Sequence, residues 1–116
     1  MTTQQVANRL VELCRQGKIM ETQQELYADD ITTIEGDKAP EKGKQAAIEK
    51  GKMFQSMMEE FHGSEISDPI IASDHFAISW MMDVTMKDKG RMKMEEICVY
   101  KVKDGKIVSE QFFFSM

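Results

Sequence analysis

Apolar positions recur at helical spacing through the first half of the chain and alternate along most of the second half. Val6, Leu10, Leu13 and Cys14 form one stripe, which predicts a helix, and Gly17 is placed to stop it. A second, shorter helix is expected from about Lys18 to Leu26, with Ile19, Gln23 and Leu26 on one side. Asp29-Asp30 breaks it, and the β-branched run Ile31-Thr32-Thr33-Ile34-Glu35 reads as a strand. Gly36 to Gly43, with two glycines and Pro40, reads as a loop. After it, Ala47, Gly51, Phe54, Met58 and Phe61 step by fours and threes, which predicts a third helix closed by His62-Gly63-Ser64.

Beyond that point the period changes. A short strand is expected around Ile66, with Pro69 marking an edge or bulge. Phe76, Ile78, Trp80, Met82, Val84 and Met86 then share one face of a long strand, while Ala77, Ser79, Met81 and Asp83 share the other. The turn Lys87-Asp88-Lys89-Gly90 leads to a strand from Arg91 to Val102. The Asp104-Gly105 turn gives a strong hairpin signal before a last strand from Ile107 to Ser115. Helices followed by a meander make an α+β fold, with the helices packed on one face of a curved sheet.

At 116 residues the chain suits a single domain spanning 1–116, large enough to bury a core without a staple. Its net charge of -5 argues against nucleic acid or anionic membrane as a main partner. No apolar run nears the ~18 residues of a membrane span, and the N-terminus lacks the features of a signal peptide. The two cysteines, Cys14 and Cys98, form no CxxC, which fits a reducing, cytoplasmic setting and small core residues rather than nucleophiles. No His-His-carboxylate spacing supports a metal, and neither a nucleophile elbow, a phosphate loop nor a dinucleotide fingerprint is present. His62 and His75, at element ends, read as surface residues. Eleven methionines leave two readings open, a loosely filled core or an adaptable apolar pocket.

Three segments together resemble the nuclear transport factor 2-like superfamily, most closely its SnoaL-like branch. They are Leu26-Tyr27-Ala28-Asp29-Asp30 before a strand, Gly43-Lys44-Gln45-Ala46-Ala47-Ile48 opening a helix, and the run from Glu96 to Phe113 around the Asp104-Gly105 turn. Their order spans nearly the whole chain. The resemblance implies a cystatin-like cone: three N-terminal helices closing a strongly bent, mostly antiparallel sheet over an apolar pocket. It is similar to polyketide cyclases, ketosteroid isomerases, epoxide hydrolases and dehydratases, and to members that bind without catalysis. One fold with many chemistries sends the functional argument to the pocket. Dimerisation through the outer sheet face is also implied.

By that resemblance Cys98 takes the place of the isomerases' oxyanion-stabilising acid, so Met94, Glu96, Cys98 and Tyr100 share the inner face. Ile97 and Val99 then face outward, toward a partner subunit. Glu110, Phe112 and Phe114 fall inside on the last strand, Glu35 falls at the general-base position, and Leu10 replaces the oxyanion-hole tyrosine. Leu donates no hydrogen bond and a thiol donates weakly, so the chain does not read as a ketosteroid isomerase. Glu35, Glu96 and Glu110 remain as candidate catalytic carboxylates, whose pKa values an apolar cavity and mutual repulsion would raise. The alternative is a structural pairing of Glu96 and Glu110 with Lys101, Lys103 or Arg91. Trp80 is either core or a ligand platform. The basic tip at Lys87, Lys89, Arg91 and Lys93 is either a solvated surface or a rim that steers an anion.

The expectation is thus a small apolar or aromatic molecule held by Leu10, Phe54, Met58, Trp80 and the inner residues of the last two strands. The chemistry would be isomerase, cyclase or hydratase proton transfer on Glu96 or Glu35, with no external cofactor or metal. The competing expectation is a non-catalytic binding or association module that acts through the outer face at Ile97, Val99, Gln111 and Phe113.

Overall fold

The computed structural model describes residues 1–114. Helix α1, Thr3–Arg15, starts from a capping box in which the Thr2 hydroxyl accepts from the Gln5 N–H and the Gln5 side chain accepts from the Thr2 N–H. It buries Val6, Ala7, Leu10, Val11, Leu13 and Cys14, and Gly17 turns the chain at φ +76°. Helix α2, Ile19–Leu26, runs directly into strand β1, Tyr27–Glu35. That strand therefore begins four residues before the β-branched run. Asp29 and Asp30 do not interrupt it, because their carboxylates point to solvent, and the strand is irregular only by a register shift between Tyr27 and Thr32. The loop from Gly36 to Gly43 holds the short strand β2, Glu41–Lys42, on the outer edge of β1.

Helix α3, Lys44–Met57, ends earlier than its spacing predicts and passes straight into strand β3, Met58–Ile66. Met58 and Phe61 are strand residues. Phe61 is 55% exposed, so its place in the helical stripe was a coincidence of spacing. What decides the switch is long-range: Phe61, Ser64 and Ile66 pair with Val84, Met82 and Trp80 of the next long strand. Strand β4, Ile70–Ala72, follows Pro69 and shares one edge of β5, His75–Met86, with β3. Strands β6, Gly90–Lys103, and β7, Lys106–Phe114, complete the meander. Ser115, expected at the end of the last strand, lies outside the described residues. Asp104 and Gly105 both adopt positive φ and join Lys103 to Lys106 in a two-residue turn, as the hairpin signal required.

The open sheet runs β2-β1-β7-β6-β5-β3, parallel only between β1 and β7. The three helices cover its inner face. Leu10, Leu26, Ile31, Phe76, Ile78 and Ile107 pack between the layers, and the Phe76 and Tyr100 rings stack at 4.8 Å. Among the described residues no helix is long and apolar enough to cross a membrane.

Candidate functional site

Strand parity aims the site. On β6 the inner positions are Met94, Glu96, Cys98 and Tyr100, and on β7 they are Glu110, Phe112 and Phe114. In register, Tyr100 faces Glu110, Cys98 faces Phe112 and Glu96 faces Phe114. On the other side of β6, Trp80 of β5 lies opposite Glu96 and Met82 opposite Met94. Leu10 of α1, Gln23 of α2 and Ala47, Gly51 and Phe54 of α3 close the hollow from above. The result is a cavity of about 290 Å³ between helices and sheet, near the lower end of ligand-pocket sizes.

Its walls are mainly apolar, and its polar groups converge from three strands. Glu110 is 2% exposed. The Tyr27 hydroxyl donates to its Oε1 and the Thr33 hydroxyl donates to its Oε2 at 2.8 Å. Burial pushes the Glu110 carboxyl up to about 7, against the pull of those two donors, and the charges of Glu35 and Glu96 push the same way as burial. Burial likewise raises Glu96, to which the Cys98 thiol donates at 3.6 Å, with repulsion from Glu35 added. Glu35 is ion-paired instead: Lys50 Nζ lies 3.1 Å from it and 3.1 Å from Glu41. Burial lowers the Lys50 pKa, but the two carboxylates outweigh it and hold the ammonium charged.

The two thiols are inert as nucleophiles. Burial raises Cys14 to about 11 and Cys98 further still. Tyr27 and Tyr100 are raised by burial too and stay neutral hydroxyl donors. Trp80 Nε1 is buried without a hydrogen-bond partner, the one such side-chain atom among the described residues.

All three candidate carboxylates thus line one hollow, together with Leu10, Phe54, Trp80, Met94, Tyr100, Phe112 and, at the half-open rim, Phe114. Two candidates do not. Met58 belongs to β3 and lines an adjoining groove beside Phe54, and Cys98 is fully buried behind the wall. The structural alternative for the acids finds no support in the geometry. Arg91 pairs with Asp83 at 3.1 Å on the outer face, and among the described residues neither Glu96 nor Glu110 meets a lysine or arginine. His62 contacts Thr85 and His75 contacts Asp74, both away from the cavity. No group of three or more His, Cys, Asp or Glu side chains among the described residues is placed to hold a metal.

Tyr27, Thr33 and Lys50 are site residues that sequence reasoning missed. The parity that turns Glu35 inward also turns Thr33 inward, and Lys50 is one helical step from Ala47 on the same stripe. Tyr27 was hidden by the assumption that β1 begins at Ile31.

A model of the SnoaL-like domain family matches residues 1–114. The chain is 34% identical to a candidate SnoaL-like polyketide cyclase (carbohydrate phosphatase) from Mesorhizobium loti. That match covers 97% of this chain and 99% of that one, with a TM-score of 0.91. A protein with a cystatin-like fold from Xanthomonas campestris matches at 17% identity over 100% and 92% of the two chains, TM-score 0.83. A candidate SnoaL-like polyketide cyclase from Jannaschia matches at 9% identity over 96% and 86%, TM-score 0.79. These last two show a shared fold only. No curated protein matches the chain.

Proposed function

Because this chain belongs to the SnoaL-like domain family, we propose that its cone binds a small apolar or aromatic molecule and moves a proton on it through Glu96. The observation that carries this reading is Glu96 itself. It is a carboxylate on the wall of an apolar cavity, and among the described residues it has no cationic partner and only a thiol donates to it. Glu110 has both oxygens engaged by hydroxyls and Glu35 is neutralised by Lys50, so neither is as free to accept a proton. Desolvation raises Glu96 toward the range where a carboxylate is an effective base near neutral pH.

In the proposed step a Glu96 oxygen takes a proton from a carbon next to a carbonyl. The C–H electron pair moves into the enolate, and the same carboxyl returns the proton to that carbon or to a neighbouring one. Isomerisation and aldol-type ring closure both begin this way. Phosphate-ester chemistry fits the cavity poorly, because its single lysine is already shared by two carboxylates.

Deuterium exchange at the α-carbon of small aryl ketones, followed by NMR in deuterated buffer, tests the assignment. Exchange above the buffer rate is expected, and Glu96→Gln should reduce it by about 10²- to 10⁴-fold. No acceleration for any ketone, or an unchanged rate in Glu96→Gln, would remove the proposal. We also propose a homodimer formed through the outer sheet face, where Ile97 and Phe113 stand opposite each other, 51% and 48% exposed.

A further inference from the structure

The charge balance of the cavity bears on the class of ligand. Glu35, Glu96 and Glu110 all face it, against one lysine. That lysine lies at the rim and is shared between Glu35 and Glu41, the latter outside the cavity, so it leaves nothing for Glu96 or Glu110. The acids act on one another: Glu35 raises both Glu96 and Glu110, and Glu96 raises Glu110. Acids gathered in this way need either protons or a counter-cation.

Aromatic faces stand beside them. Trp80 is the cross-strand neighbour of Glu96. Phe112 follows Glu110 by two positions on the same face of β7, and Phe54 closes the hollow from α3. A carboxylate next to aromatic rings in a desolvated hollow is the combination that holds an organic ammonium. The carboxylate supplies charge, and the rings supply quadrupole attraction and apolar contact. A neutral hydrocarbon uses only the rings, and an anion is repelled.

We propose that the molecule this cavity selects carries a positively charged amine on an apolar body, seated between Glu96 and the rings of Trp80 and Phe112. The inference rests on the reading of the cone as a ligand cavity and specifies its substrate class.

The test uses the full chain at pH 8, with phenyltrimethylammonium and its uncharged carbon isostere tert-butylbenzene. Binding is followed by the indole N–H resonance of Trp80, the only tryptophan. The cation should bind at least about tenfold more tightly than the isostere. Glu96→Gln should weaken the cation about fivefold or more while leaving tert-butylbenzene within twofold, which also shows that the variant keeps its cavity. If the isostere binds as tightly as the cation, or if Glu96→Gln weakens both alike or neither, the ammonium proposal falls and the cavity reading stands. If neither probe binds, both fall.

Discussion

Glu110 illustrates how a single side chain can make stability depend on pH. Its folded pKa of about 7 lies above the ordinary 4.5. The folded state therefore holds a proton that the unfolded state releases between those values. Stability from this group is full below pH 4.5, declines as pH rises and is lost once pH passes about 7. The loss amounts to a few kcal/mol at most. Thermal melts from pH 5 to 8 should show the wild-type Tm falling more steeply than that of Glu110→Gln, which lacks the titration. Tyr27→Phe, which removes a donor to the charged form, should cost about 1–2 kcal/mol more at pH 8 than at pH 5. Equal slopes for wild type and Glu110→Gln would mean that Glu110 is not held as described. The residue scale is also where sequence reading was least complete. Glu110 was legible as an inward acid only once the family resemblance had anchored the inner face, and its partners lie 83 and 77 residues away along the chain, where no local pattern contains that pairing.

Among the elements, α3 is held more by its ends and neighbours than by its own burial. Only Ala47 and Ile48 are buried, and the Gln23 amide donates to the Ala47 carbonyl at 3.3 Å to tie it to α2. Gly51 sits in mid-helix, where glycine costs helical stability, and a Cβ there would meet the Gln23 amide at an ordinary 3.7 Å. Gly51→Ala should therefore stabilise the protein by about 0.5–1 kcal/mol, seen as a Tm raised by several degrees. A lowered Tm would mean that the helix cannot spare the space. The same variant narrows the cavity and should weaken ligands that fill it. Helices α1 and α2 and the β6–β7 hairpin were legible because stripe, cap and turn chemistry agree within one segment. The boundary between α3 and β3 was not, since Met58 and Phe61 satisfy helical spacing while their backbone hydrogen bonds go to β5.

For the molecule as a whole, the sheet has two uses. Its concave face carries the cavity, and its outer face leaves Ile97 and Phe113 exposed near a broad shallow groove that also includes Met81. Under the dimer proposal, light scattering coupled to size exclusion should give twice 13.3 kDa. Ile97→Lys with Phe113→Lys should give a monomer that melts cooperatively, because both side chains already lie outside the core. A wild-type monomer at micromolar concentration would end that proposal without touching the cavity.

What the chain's own periodicity determined was the class of fold, the approximate place of most elements and which residues of each late strand share a face, because these depend on alternation and turn chemistry within a few residues; which of the two faces turns inward came from the family resemblance. Closure of the hollow was decided in three dimensions. The parallel seam of β1 with β7 brings Tyr27 and Thr33 onto Glu110, α3 carries Lys50 to Glu35, and β3 claims residues that spacing alone assigned to a helix. Each of these contacts joins segments far apart in sequence, where the free energy of packing and of pairing buried polar groups outweighs local preference.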